Sequence, residues 1–196
     1  HPPDRHPARD LRPPHEPLDP LWLLEQLSRA EAFEHFLHRI FPGKTRFSAE
    51  GLDMMVPMLD IMLGEAAEAS IYTILIGMAH RGRLNVLAHI LHKPYAEILQ
   101  EFRDAPGEDH PVREYLGWTG DVKYHAGASR ALANGNLVDL VVTMAPNPSH
   151  LEHVNPVVAG MARAAGTRAD RAGRPHFDPG VALPIVIHGD AAFPGQ

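Results

Sequence analysis

The chain has no cysteine, which excludes disulfide staples, thiolate metal sites and a thiol nucleophile, and which fits a reducing compartment. No apolar run approaches the length needed to cross a bilayer, and no charged-then-apolar leader opens the sequence, so a membrane protein is not expected. Basic charge is not in excess: 18 Lys and Arg stand against 24 Asp and Glu, for a formal charge of -6. Nucleic acid is therefore not an expected partner, although a local basic patch for a small anion is compatible with this balance. Apolar residues are not scarce. With 196 residues and 44% hydrophobic content the chain can bury a core, and one compact domain with an appended arm is the economical expectation.

Proline is plentiful at the start. Pro2, Pro3, Pro7, Pro13, Pro14, Pro17 and Pro20 lie among Arg, His and Asp, so residues 1–20 read as a flexible, extended arm. From Leu21 the positions Leu23, Leu24, Leu27, Phe33, Phe36, Leu37 and Ile40 recur at helical spacing, with Glu25, Arg29, Glu34 and Arg39 interleaved, until Pro42-Gly43 ends the pattern. His35 and His38, one turn apart, lack a carboxylate to complete a metal site and read as a surface pair. Ser48 is a good N-cap for a second helix carrying Leu52, Met55, Val56, Leu59, Met62 and Leu63, with a kink expected at Pro57 and a connection over Gly64 to Ala69. Residues 21–69 are thus expected to be a helical segment packing on the core.

The stretch from Ile71 to Arg83 is the most informative. An apolar, β-branched run ends in Gly77-Met78-Ala79-His80-Arg81-Gly82-Arg83, the pattern of a buried strand delivering polar groups to its carboxyl end. Arg81 and Arg83 flank Gly82 just before a helix expected over Leu84, Val86, Leu87, Ile90 and Leu91. Cations there oppose the helix dipole and are better explained by a bound anion than by a solvated basic turn. A short helix is expected from Tyr95 to Phe102, and a long polar loop, functional or mobile, from Asp104 to Gly120. His125 stands alone in a Gly-framed turn. Leu137 to Met144 and Leu183 to His188 read as further buried strands, with a helix between them starting near Asn155-Pro156 and stopping at Gly166; Ala164 to Gly180 reads as a loop.

Three apolar strands separated by helical sequence imply right-handed crossovers and an open, mainly parallel sheet flanked by helices, an α/β fold. All three strands then end on one edge, where His80, Arg81, Ser149, His150 and Asp190 would gather. Asp190, followed by Ala191 and Ala192, is an oxygen ligand of the kind magnesium shares with phosphates. Each residue also has a structural reading: His80 and His125 as core or surface histidines, Ser149 with Glu152 as a capping box, and Asp190 as the N-cap of a following helix.

Five blocks in order carry a resemblance. Lys44-Thr45-Arg46-Phe47-Ser48, Gly77 to Leu87, Gly120-Asp121-Val122-Lys123-Tyr124-His125, Asn147-Pro148-Ser149-His150-Leu151-Glu152 and His188-Gly189-Asp190-Ala191-Ala192-Phe193 resemble successive blocks of 2-oxoglutarate dehydrogenase, its thiamine-diphosphate-dependent decarboxylating component. The resemblance runs from about Leu21 to Gln196. It implies a thiamine-diphosphate-binding fold, of which residues 70–196 would be the N-terminal part. It also implies an oxidoreductase of the tricarboxylic acid cycle, acting in a multienzyme complex. The implied reaction is decarboxylation of 2-oxoglutarate and transfer of the succinyl unit to the lipoyl domain of dihydrolipoyl succinyltransferase. By the same resemblance His80 and His125 would be catalytic and contact substrate, and Ser149 would also lie near it. Arg81, Leu151, Asp190, Ala191 and Ala192 would line the cofactor, with Asp190 on magnesium. A homodimer is implied, in the cytoplasm of a bacterium or the mitochondrial matrix of a eukaryote.

The family's second magnesium segment, its activating Glu and a further substrate His are expected beyond Gln196, so the fragment alone is expected to be inactive. The loop from Asp104 to Trp118 is longer than the family's, and Pro194 stands where a small residue is expected. A 2-oxoadipate dehydrogenase shares these blocks. Two other readings stay open from the residues themselves: a metal-dependent hydrolase using His150, His153, His188 and Asp190, and a non-catalytic assembly module.

Overall fold

The structure is a computed structural model that describes residues 17–102, 122–125, 127–134, 137–146 and 151–189. Among these, β1 (Thr73–Met78), β3 (Leu137–Met144) and β6 (Ala182–Ile187) run parallel in the order β3-β1-β6, as three apolar runs separated by helical sequence require. The register sets Ile76 beside Met144 and Met78 beside Ile187, so all three strands finish on one edge. One strand is antiparallel. β2 (Ala128–Asn134) pairs along β3 at the sheet margin, with a bulge between Leu132 and Ala133. Pro184 is accommodated in β6 because that strand lies at the other margin of the described sheet, where a missing backbone N–H costs least.

Alternation along β1 decides which layer covers which face. Ile74, Ile76 and Met78 point into the larger core with Leu140, Val142, Met144 and Ile185. That core is closed by Phe33 and Leu37 of α1 (Pro20–Ile40), by Val56, Leu59 and Leu63 of α2 (Met55–Glu68), and by Leu84, Val86 and Leu87. Leu84 belongs to α3 (Arg83–Asn85), which runs on into a π-helical segment, Val86–Ile90; α4 (Tyr95–Gln100) follows and buries Ile98. On the opposite face Leu75 meets Val154, Val158 and Ala162 of α6 (Val154–Ala165). Gly77 makes that contact possible: a Cβ there would lie 2.8 Å from Val158 Cγ2 and 3.1 Å from Val154 Cγ1. A short helix α5 (Val122–His125) precedes β2, and a small hairpin of β4 (Thr167–Arg168) and β5 (His176–Phe177) occupies the stretch expected to be loop.

Several local expectations are corrected. Ser48 does not cap α2: its Oγ accepts the Glu50 N–H in a local turn, and the helix begins after Met54. Pro57 therefore falls in the first turn, where its missing N–H interrupts nothing, and residues 64–68 continue the helix. In α1 the buried stripe is Gln26, Ala30, Phe33, Glu34 and Leu37, whereas Leu24, Phe36 and Ile40 face outward. Glu34 is thus a core residue rather than a solvated one. His35 and His38 are both exposed, and His38 Nδ1 lies 3.1 Å from Arg46 Nη2.

Candidate functional site

The site is built at the carboxyl edge of β1. Ala79 N–H donates to the Ile187 carbonyl at 2.9 Å, extending the ladder by one residue and bringing the chain after β1 beside the chain after β6. His80 comes next and is buried, with 7% of its surface exposed. It continues the parity of Ile74, Ile76 and Met78, so it lies on the side of the sheet covered by α1 and α2. The turn that follows needs Gly82, which has φ +74° and sits where a Cβ would come within 3.3 Å of the Ala49 Cβ.

Three rings surround the His80 imidazole. Phe47, in the segment joining α1 to α2, lies 5.2 Å away between centroids; Tyr124 lies at 5.6 Å and His125 at 5.2 Å, the last inclined at 44°. Phe47 and Tyr124 meet edge to face at 4.8 Å. Backbone bonds lock this group together. Phe47 N–H donates to the Tyr124 hydroxyl at 3.0 Å, and Gly82 N–H donates to the Phe47 carbonyl at 2.8 Å. The Tyr124 ring is fully buried and His125 is half-buried. Two imidazoles from segments far apart in sequence thus face one another over the end of a central strand.

The two arginines have separate fates. Arg81 is exposed, and its Nη2 donates to the Glu50 carbonyl, which leaves other donors of its guanidinium fork for a ligand. Arg83 was expected beside an anion and is instead wholly buried, with Nη2 donating to the Ala145 carbonyl at 2.8 Å and Nη1 reaching the Met78 carbonyl at 3.4 Å. It ties the ends of β1 and β3 together. Burial lowers its pKa to about 10, so it stays cationic at neutral pH.

At the end of β6, His188 has its ring nitrogens 3.4 Å from Asn155 Nδ2 of α6. Leu151 begins a 3-10 turn, Leu151–His153, that leads into α6, and His153 is exposed. Ser149, His150, Asp190, Ala191 and Ala192 lie outside the described residues, as does the expected loop from Asp104 to Gly120. Among the described residues no cluster of three or more His, Asp or Glu could hold a metal ion. Phe47, Tyr124 and Glu34 were not singled out as site residues, although Phe47 and Tyr124 stand inside two of the quoted blocks, next to Arg46 and His125.

No protein-family model matches the chain. Curated proteins do. Over 179 residues, 89% of its length, it is 54% identical to the 2-oxoglutarate dehydrogenase E1 component of Geobacillus sp. (strain WCH70). Over the same extent it is 52% identical to the protein of that name from Shouchella clausii (strain KSM-K16) and 50% identical to that from Bacillus subtilis (strain 168). The chain is similar to one segment of 2-oxoglutarate dehydrogenase E1 components. It spans 19% of the length of each of these relatives. Among the described residues, the candidate site consists of the His80 and His125 pair, its aromatic surround and Arg81.

Proposed function

We propose that the full-length protein is a 2-oxoglutarate dehydrogenase of the E1 type, an oxidoreductase that releases carbon dioxide from 2-oxoglutarate and passes the succinyl unit to a lipoyl group of a succinyltransferase. The observation that carries this reading is the meeting of the His80 and His125 rings, 5.2 Å apart, at the carboxyl edge of the parallel sheet. That edge is where open α/β sheets bind their ligands. A 2-oxo diacid presents carboxylate and carbonyl oxygens, and imidazoles can donate hydrogen bonds to them and carry protons.

The donors described at this edge are imidazole and guanidinium nitrogens, a set suited to carboxylate and phosphate oxygens and not to magnesium, which takes oxygen ligands. The described residues therefore fit the anionic parts of the substrate and of thiamine diphosphate, and the metal role is the one that the resemblance assigns to Asp190. In this reading Arg81, Leu151, Ala191 and Ala192 line the cofactor, and Ser149 joins the two histidines around substrate. Bound thiamine diphosphate supplies the electron sink for decarboxylation. In this reading His80 and His125 orient the acid. A homodimer in a bacterial cytoplasm, working within a multienzyme complex, completes the proposal.

The test uses purified full-length protein supplied with thiamine diphosphate and magnesium. Carbon dioxide release from 2-oxoglutarate, faster than from 2-oxoadipate, is expected. Asp190→Ala should lose cofactor binding, and His80→Ala should lose turnover while retaining cofactor. Unchanged turnover in both variants defeats the assignment, and a preference for the longer acid moves it to a 2-oxoadipate dehydrogenase.

A further inference from the structure

We propose that Glu34, on α1, is a positioning residue for the histidine pair, acting through the segment that carries Phe47. A carboxylate that is 4% exposed on an otherwise apolar helical stripe is costly unless its oxygens are bonded. Here they are bonded by three residues on two separate pieces of chain. Oε1 accepts the Ala49 N–H at 3.0 Å and the Asn85 side-chain amide at 2.7 Å, and Oε2 pairs with Arg46 Nη1 at 3.3 Å. Arg46 Nη1 also donates to the Glu34 carbonyl at 3.2 Å.

Arg46 and Ala49 bracket Phe47, so the carboxylate grips the segment on both sides of the residue whose ring lies against His80. Asn85 lies just past the Gly82 turn, so the same carboxylate also grips the chain that leaves His80. Between those anchors the Phe47 peptide bonds to Gly82 on one side and to the Tyr124 hydroxyl, beside His125, on the other. One carboxyl group thus fixes the spacing of the two histidine-bearing segments without touching either ring. The carboxylate itself joins the Phe47 segment to the chain leaving His80, and the link to the His125 segment runs on through the Phe47 N–H and the Tyr124 hydroxyl.

The turnover part of this proposal rests on the function proposed above; the placement part does not. Two readouts on the full-length protein separate them. In the cofactor-free protein, diethylpyrocarbonate labelling followed residue by residue by mass spectrometry should speed up several-fold at His80 and His125 in Glu34→Ala, with no change at the exposed His153 and His176. In the loaded protein, kcat on 2-oxoglutarate should fall by roughly tenfold or more, as misplacement of reacting groups produces, while cofactor affinity holds. Glu34→Gln, which keeps an oxygen acceptor, should lie between Glu34→Ala and the parent. The Glu34→Ala, Phe47→Ala double variant should be no slower than the worse single variant, because both act through one segment. Unchanged labelling in Glu34→Ala overturns the proposal, as does a lowered melting temperature with labelling and kcat intact. Altered labelling in a protein that never decarboxylates 2-oxo acids overturns the function and leaves the positioning role standing. If Glu34→Ala does not fold, Asn85→Ala and Glu34→Gln carry the same labelling criterion.

Discussion

Acidification should loosen the π-helical segment that follows the site, and His89 should be the cause. Its ring stands edge to face with Phe33 at 5.8 Å, its Nε2 lies 2.8 Å from the Tyr95 hydroxyl, and its buried Nδ1 has no hydrogen-bonding partner among the described residues. A neutral ring can bond the Tyr95 hydroxyl through Nε2 in either tautomer, with Nδ1 left unbonded, whereas a protonated ring carries an N–H on each nitrogen and needs two acceptors. Burial first, and the nearby Arg29 charge second, lower its pKa from 6.5 to about 4. The sign follows directly: in the unfolded chain the ring takes its proton as pH falls through 6.5, whereas in the fold it does so only near 4. Stability is therefore complete above 6.5, declines as pH falls through that window, and levels off below about 4. At ~1.4 kcal/mol per pH unit the full loss is at most roughly 3 kcal/mol. Hydrogen exchange of the peptides spanning Val86 to Ile98 in the full-length protein reads the local opening free energy across that range. His89→Gln, which does not titrate and can still bond Tyr95, should remove the pH dependence of opening. Equal slopes in the variant and the parent would refute the assignment.

Other substitutions test the frame around the site. Gly77→Ala should destabilise the protein by about 1–3 kcal/mol in urea unfolding, because the new methyl meets Val158 and Val154 at 2.8 to 3.2 Å, and Val158→Ala should recover part of the loss. Arg83→Met should cost about 2–5 kcal/mol by leaving the buried Met78 and Ala145 carbonyls without their guanidinium donor. Arg83→Lys should not rescue it, since an ammonium lacks the planar fork that spans the two carbonyls; full stability in either variant would contradict the clamp.

The strands that build the site edge are legible in the sequence because each is an unbroken apolar run, and β1, the central one, is buried on both faces as such runs lead one to expect. β2 is not, since Ala128 to Asn134 has little β-branched content and takes its conformation from pairing with β3 at the margin. Glu34 was within reach: Ala30, Phe33, Glu34 and Leu37 form a continuous helical stripe, but the carboxylate's partners come from residues 46, 49 and 85, which spacing along α1 does not reveal. Arg83 misled for a related reason. A buried cation and a ligand-binding cation look alike in sequence, and only the two carbonyls at the strand ends distinguish them. His125 carries only a weak local signal, a lone His in a Gly-framed stretch. It joins His80 through the Tyr124 hydroxyl and the Phe47 peptide, contacts between segments more than seventy residues apart.

The proposed meeting of His80 and His125 on one substrate, and with it the proposed activity, is tested most directly by a double-mutant cycle on carbon dioxide release from 2-oxoglutarate by the full-length protein. Each single change to alanine should lower kcat/KM, and the double variant should fall far short of the product of the two losses, since groups acting on the same molecule are coupled. Losses that multiply in full, or a single variant as fast as the parent, would mean that the two rings do not share a substrate.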